Sequence, residues 1–158
     1  MVVGGLGLGY TVQRLLADPR VERVAVVEVE DALIGWMRDG TVPHGPALLA
    51  DQRVKVVVAD IAVAVAEARP DAYDLVLLDV DNGPDYLVHA ANAALYDQPF
   101  LQLVRAVLRP GGALAVWSAS DSPALRTAME AVFPTVRAEA LDVRLQDRDE
   151  QYWLYLGS

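Results

Sequence analysis

The stretch VVGGLGLG at residues 2–9 decides the fold, because it joins a short β-branched run to a helical stretch predicted over Leu8–Ala17. Glycine is needed where a backbone turns with positive φ, or where a ligand approaches and a Cβ would obstruct it. Four glycines in six residues at a strand-to-helix junction exceed what a simple tight turn requires. We therefore expect a ligand to lie against this loop, near the exposed amides at the start of the helix.

The spacing of these glycines separates the classes of nucleotide-binding loop. A dinucleotide fingerprint needs G-x-G-x-x-G, and Tyr10 and Val12 stand where its last glycine would be. No Gly-Lys-Ser/Thr sequence follows, so a P-loop is excluded. The pattern Gly5-x-Gly7-x-Gly9 fits instead the loop of adenosylmethionine-binding domains, and makes these three glycines candidate cofactor-binding residues.

Strand and helix patterns alternate along the rest of the chain, which predicts βαβ units and a parallel sheet with helices on both faces. The predicted strands are Met1–Val3, Arg23–Val29, Val54–Ala59, Tyr73–Asp79 and Ala113–Trp117. The further predicted helices are Glu30–Arg38, Ile61–Ala68, Tyr86–Ala94, Gln98–Leu108 and Ser122–Val132. Val136–Leu145 and Gln151–Leu156 alternate by twos and predict a closing antiparallel hairpin. The fold class is thus α/β, a doubly wound, Rossmann-like sheet of the adenosylmethionine-methyltransferase type, forming one nucleoside-binding domain over residues 1–158.

Acidic residues end two of the predicted strands. Glu28 follows the second strand, where an ionised carboxylate can accept both ribose hydroxyls of a nucleoside. Asp60 ends the third strand, where it can accept from an adenine amino group while the Ile61 amide donates to the ring. Asp60 is also a good N-cap for the next helix, and the two roles are compatible.

Asp79 and Asp81 leave the fourth strand and are the candidate catalytic carboxylates. Ligands of open α/β sheets bind at the carboxyl ends of the strands. Asp79 is the first candidate, since it could orient an amine or take its proton. The competing interpretation of Asp79 is a strand-end acid that caps a turn.

Composition restricts the partners and the chemistry. The 158 residues carry 13 Lys and Arg against 22 Asp and Glu, a net charge of -9, which argues against nucleic acid as a partner. No cysteine is present, so disulfides and thiolate metal sites are excluded. His44 and His89 stand alone without metal-ligand spacing, and we expect no metal.

No apolar run approaches the roughly 20 residues of a membrane span, and no signal peptide is visible, so we expect a cytoplasmic protein.

From Val2 to about Ser118, the order of motifs resembles the polyamine (spermidine/spermine) synthase family. The resemblance is carried by the glycine loop and by Asp18-Pro19-Arg20-Val21, Val27–Glu30, Asp51–Val56, Ala59-Asp60, Tyr73–Asp79, Ala94-Leu95-Tyr96 and Leu108–Gly112. It implies that the glycines, Glu28 and Asp60 hold adenosylmethionine or its decarboxylated form, with S-adenosylhomocysteine or methylthioadenosine as the product. It also implies that Asp79 helps to deprotonate an attacking amine, and that the protein is a homodimer.

The chain departs from that family in the half that binds the polyamine. The family's N-terminal β-domain has no counterpart before Met1, and the family's Asp-Ser-Ser-Asp-Pro is replaced by Asp79-Val80-Asp81-Asn82-Gly83. We expect a transferase that moves an aminopropyl or methyl group to a small acceptor such as an amine. The alternative is a non-catalytic domain that binds the nucleoside or a partner.

A weaker resemblance links Asp79, Asp81, Asp85 and His89 to metal-dependent catechol-type O-methyltransferases. Those enzymes need an Asp-Asn pair after the fifth strand, and this chain has Trp117-Ser118-Ala119-Ser120-Asp121 there. The metal site of that family is therefore incomplete in this sequence.

Overall fold

The computed structural model describes residues 1–158 and contains one seven-stranded sheet. Its strands are β1 (Val2–Gly4), β2 (Val24–Glu28), β3 (Val54–Val58), β4 (Tyr73–Leu78), β5 (Leu108–Ser118), β6 (Val136–Leu145) and β7 (Arg148–Gly157). They lie in the order β3-β2-β1-β4-β5-β7-β6, with β1 to β5 parallel and β7 antiparallel to both of its neighbours. The predicted doubly wound sheet with a closing antiparallel hairpin is confirmed.

Five of the six α-helices overlap the helical stretches predicted from the sequence. The six are α1 (Tyr10–Leu16), α2 (Asp31–Asp39), α3 (Gly45–Leu49), α4 (Ile61–Ala66), α5 (Gln98–Val107) and α6 (Pro123–Glu130), with a 3₁₀ helix at Ala90–Tyr96. Helix α6 begins where its cap predicts, because the Ser122 hydroxyl accepts from the Leu125 amide at 3.4 Å. No helix is long and apolar enough to cross a membrane.

Two hydrophobic cores lie on opposite faces of the sheet. Successive side chains of a strand point to opposite faces, so the neighbours Val2 and Val3 of β1 belong to different cores. Val2 packs in the core that contains Leu101 of α5, and Val3 packs in the core that contains Met37 of α2. Burial on both faces explains why the short central strand β1 consists of small apolar residues. It also leaves the carboxyl ends of β1 to β4 as the edge at which a site can open.

One helix of the structure, α3, has no counterpart among the predicted helices. Helix α3 begins at Gly45 and has Pro46 in its first turn. Proline is favoured there because the amide that it lacks would have no hydrogen-bond partner within the helix. A Cβ on Gly45 would collide with the backbone of Met37, so glycine allows α2 and α3 to pack closely.

The segment after β4 also differs from the prediction. A helix was predicted at Tyr86–Ala94, whereas residues 82–89 are irregular backbone with bends and one turn, and the 3₁₀ helix follows at Ala90–Tyr96. Strand β5 begins at Leu108 rather than at the predicted Ala113, and its pairing with β4 shifts register between Tyr73 and Leu75. The segment between β4 and α5 is therefore shaped by tertiary contacts rather than by helical periodicity.

Candidate functional site

A cavity of about 420 Å³ opens at the carboxyl ends of the parallel strands. One side is formed by residues at or just after the ends of four strands: Gly5 after β1, Glu28 of β2, Asp60 after β3 and Asp81 after β4. Residues 88–95, which we call the wall segment, contribute Val88, His89, Ala91, Asn92 and Leu95 to the lining. The cavity therefore lies where the strand order reverses about β1, as expected for an open α/β sheet.

Five residues proposed from the sequence meet at this cavity, and three do not line it. Gly5, Glu28, Asp60, Ile61 and Asp81 are lining residues. Gly7, Gly9 and Asp79 lie outside the lining, although each belongs to a segment next to it. Of the three candidate glycines, Gly5 therefore lines the cavity, whereas Gly7 and Gly9 do not.

Gly5 lines the cavity and is the glycine required by the close approach of the Asp79 backbone. Its φ is +92°, a value that residues with a side chain rarely adopt, and a Cβ there would collide with the carbonyl oxygen of Asp79. The Gly5 amide donates to the carbonyl of Val27, which ties the loop to β2. Only glycine can connect β1 to the cavity in this way.

Gly9 and Gly7 serve other purposes. Gly9 is the N-cap of α1 with φ +80°, and a Cβ there would press on Leu48 and Met37. Gly7 has φ +49° and open space around the position of a Cβ. Gly9 therefore packs α1 against the neighbouring helices, whereas Gly7 needs glycine only for its backbone angle.

The carboxylate of Glu28 is buried and joins the glycine loop to the end of β2. Its Oε2 accepts from the Leu6 amide at 2.9 Å and its Oε1 accepts from the Glu30 amide at 2.8 Å. Only 8% of the residue is exposed. Each carboxylate oxygen can accept two hydrogen bonds, so each retains one acceptor position for a ligand.

Asp60 combines the two roles proposed from the sequence. It is the N-cap of α4, since its Oδ1 accepts from the Ala62 amide at 2.7 Å, and it also lines the cavity. Its Oδ2 makes no hydrogen bond within the chain. The neighbouring Ile61 is buried and lines the cavity beside it. A capping Asp thus leaves one oxygen for a ligand.

Asp79 is held by the first turn of α1. Thr11 Oγ1 donates to Asp79 Oδ2 at 2.6 Å, and the Asp79 amide donates to the Gly4 carbonyl at 2.8 Å. The residue is half-buried. Its carboxylate therefore has one oxygen fixed by Thr11 and one without a partner in the protein.

Asp81 has both oxygens engaged inside the protein. Oδ1 accepts from the Val88 amide at 3.0 Å and Oδ2 accepts from Asn92 Nδ2 at 2.9 Å. The residue is 6% exposed. These bonds connect the sheet edge to the wall segment.

The charge of the cavity favours a cationic ligand. Four carboxylates line it, from Glu28, Glu30, Asp60 and Asp81, and no Lys or Arg does. The pKa of the nearby Tyr96 hydroxyl is raised, first by burial and then by the negative charges of Asp81 and Asp79. Tyr96 therefore stays a neutral phenol near these two acids.

The cavity has the size and the free acceptor positions of a small-molecule site. Its volume lies within the ~300–1,000 Å³ range of small-molecule sites. Glu28 and Asp60 still have free acceptor positions for hydroxyl and amino donors, and Gly5 presents bare backbone. No three His, Cys, Asp or Glu side chains lie close enough together to hold a metal ion.

Sequence reasoning missed several residues of the site. Asn92 was not singled out, and His89 was interpreted as a lone structural histidine, yet both line the cavity. Thr11 was also missed. A hydroxyl residue in the first turn of the helix that follows the glycine loop could have drawn attention to Thr11, whereas no local signal marks Asn92.

The strand order, with an antiparallel β7 inserted between β5 and β6, places the chain in the class I methyltransferase fold class. Residues 1–133 match the model of the spermine/spermidine synthase domain, and the chain belongs to that family.

Curated relatives include two kinds of transferase. Putrescine N-methyltransferase 2 of Nicotiana tabacum is 31% identical over 120 residues, covering 76% of this chain and 32% of the relative. Polyamine aminopropyltransferase 2 of Pseudomonas aeruginosa is 30% identical over 149 residues, covering 87% of this chain and 40% of the relative. The chain therefore spans about a third of the length of these relatives.

Solved structures share the fold. Spermidine synthase from Thermotoga maritima superposes with a TM-score of 0.81 at 18% identity, over 99% of this chain and 52% of that one. Human methyltransferase-like protein 13 in complex with SAH superposes with a TM-score of 0.71 at 24% identity, over 98% and 69%. The same fold thus occurs in a protein named as a spermidine synthase and in one named as methyltransferase-like.

Proposed function

We propose that this chain binds adenosylmethionine or decarboxylated adenosylmethionine and transfers its methyl or aminopropyl group to a small amine. The observation that carries the proposal is the meeting of Gly5, Glu28 and Asp60, from three neighbouring strand ends, in one acidic cavity. The names of the family and of its relatives agree with both kinds of transfer.

The nucleoside would be held by the first three strand ends. Glu28 would accept the ribose hydroxyls on its free acceptor positions, and Asp60 Oδ2 would accept from the adenine amino group. The Ile61 amide would donate to the ring, and the bare backbone of Gly5 would admit the chain that leads to the sulfur. These contacts use only groups with hydrogen-bonding capacity left in the fold.

Asp79 would handle the acceptor. The bound sulfonium nucleoside supplies an electrophilic carbon next to its charged sulfur. As the amine nitrogen forms the new carbon–nitrogen bond, the carbon–sulfur bond breaks and the amine proton passes to the unpartnered oxygen of Asp79. Most of the rate enhancement would come from holding amine and donor in line.

The experiment is calorimetric titration of the protein with methylthioadenosine, S-adenosylhomocysteine, adenosylmethionine, decarboxylated adenosylmethionine and NAD. We expect the sulfur nucleosides to bind and NAD to bind far more weakly. Tighter binding of NAD than of every sulfur nucleoside would overturn the assignment of the ligand.

Turnover is then tested with putrescine and spermidine as acceptors, and each donor in turn. Asp79→Asn keeps the shape and removes the base, so we expect turnover to fall by ~10²–10⁴-fold while methylthioadenosine affinity stays the same. Nucleoside binding without turnover of any acceptor would instead support the non-catalytic domain.

The homodimer and the cytoplasmic location stay predictions. Sedimentation at tens of micromolar protein tests whether the chain is a dimer.

A further inference from the structure

We infer that Asp81 is a positioning residue whose carboxylate fixes the wall segment through Val88 and Asn92, so that it sets nucleoside affinity and does not handle the acceptor. The inference about affinity rests on the proposed function. The inference about the contact itself rests on the geometry alone.

The first support is that both oxygens of the Asp81 carboxylate accept hydrogen bonds from the wall segment. The donors are the Val88 amide and Asn92 Nδ2, at 3.0 Å and 2.9 Å. Asp81 is 6% exposed, whereas Asp79 is half-buried and has an unpartnered oxygen. A buried carboxylate with a donor on each oxygen is suited to holding structure in place.

The second support is the uneven attachment of the wall segment. Its carboxyl end is held by Leu95, which is 4% exposed and belongs to the core around α5. Its amino end begins at Val88, which is 70% exposed, and the preceding Leu87 is only partly buried against that core. The bonds from Val88 and Asn92 to Asp81 attach this end to the edge of the sheet.

The third support is that the attached residues face the ligand. Val88, Asn92 and Asp81 all line the cavity that Glu28 and Asp60 also line. Movement of the amino end of the wall segment would widen the cavity. Loss of the Asp81 contacts should therefore raise the dissociation constant of a nucleoside without removing any group that contacts its ribose.

The test exchanges the amide and the carboxylate between the two positions. In Asn92→Asp, two carboxylates face each other at hydrogen-bond distance and repel, so the contact opens. In the double variant Asp81→Asn/Asn92→Asp, the amide at position 81 accepts from Val88 through its oxygen and donates to the carboxylate at position 92. The contact is then restored with its polarity reversed.

Methylthioadenosine is the probe, because it is neutral and its affinity reports geometry more than net charge. We expect Asn92→Asp to weaken its binding by about tenfold or more, and the double variant to return to within about threefold of the wild type. Asp81→Asn alone should stay within about threefold, because Asn92 can turn its amide to accept from the new NH₂ group. Ala93→Asp adds the same charge at an exposed position of the same 3₁₀ helix and should leave affinity unchanged.

The inference fails if Asn92→Asp binds methylthioadenosine as the wild type does, or if the double variant is no better than Asn92→Asp. A tenfold loss in Asp81→Asn would also contradict it. Amide hydrogen exchange of Val88 gives a readout without ligand: it should accelerate in Asn92→Asp and slow again in the double variant. If the wild type does not bind methylthioadenosine, the proposed function fails, and the Val88 exchange rates still decide whether the contact exists.

Discussion

Thr11 Oγ1 donates a hydrogen bond of 2.6 Å to Asp79 Oδ2, which joins the first turn of α1 to the end of β4 across 68 residues of sequence. The bond fixes one oxygen of Asp79 and leaves the other for an acceptor. It therefore connects the glycine loop with the carboxylate proposed to take the proton.

The first prediction concerns this bond. Thr11→Val is nearly isosteric and removes the donor, so Asp79 loses its orientation, and turnover with putrescine should fall by about tenfold. Methylthioadenosine affinity should not change, because neither residue lines the cavity. Thr11→Ser keeps a hydroxyl and should recover most of the rate. Equal rates for the valine and serine variants would show that the bond does not matter for turnover.

The second prediction concerns Glu28. In Glu28→Gln the new NH₂ group faces either the Leu6 or the Glu30 amide, so two donors meet and one hydrogen bond is lost. The variant also has one acceptor fewer for the ribose. Calorimetry should show methylthioadenosine binding weakened by about 1.5–3 kcal/mol, the range for hydrogen bonds to charged groups. The matched control is Glu67→Gln, an exposed acid after α4 and away from the cavity, which should bind normally. Unchanged affinity in Glu28→Gln would remove the ribose role.

The third prediction concerns Gly5. Gly5→Ala adds a Cβ at φ +92° that collides with the Asp79 carbonyl, and should lower the free energy of unfolding by about 2–4 kcal/mol. The control is Gly35→Ala in the middle of α2, where a Cβ has open space, and it should stabilise by about 0.5–1 kcal/mol. Chemical denaturation measures both. A Gly5→Ala variant as stable as the wild type would contradict the packing described for this loop.

The fourth prediction concerns pH. Burial raises the pKa of the Tyr155 hydroxyl from 10.0 to about 12, supported by its hydrogen bond to Asp121 and opposed by the Ser122 amide. The folded protein therefore retains this proton while the unfolded chain loses it. The resulting stabilisation is complete below pH 10 and is lost as the pH rises to about 12.

Tyr155→Phe separates this contribution from that of other alkaline groups. It should destabilise by about 1–3 kcal/mol at pH 7, since it leaves the Ser122 amide without its acceptor. Its stability should then decline less steeply than that of the wild type between pH 10 and 12. Parallel curves for the two proteins over that range would show that Tyr155 does not titrate there.

Much of the sheet could be predicted from local patterns. The β-branched runs of β2 to β4 have the composition of strands buried on both faces, and alternation with helices implies parallel pairing. The helix α3 was missed because the prolines and glycines around Gly45 are typical of a loop, and only packing against Met37 selects the helix. The helix predicted at Tyr86–Ala94 was wrong because polar contacts at Asp81 determine that segment.

The sequence by itself determined the class of sheet, the position of the glycine loop and the acids at the strand ends, because these depend on residue type and short-range spacing. The tertiary structure decided which of these residues share a surface. Gly5 faces the cavity while Gly9 packs a helix, and Asp79 keeps a free oxygen while Asp81 has none. The physical reason is that such contacts join residues far apart in the chain. Their distances follow from how helices and turns pack on the sheet, which no local pattern encodes.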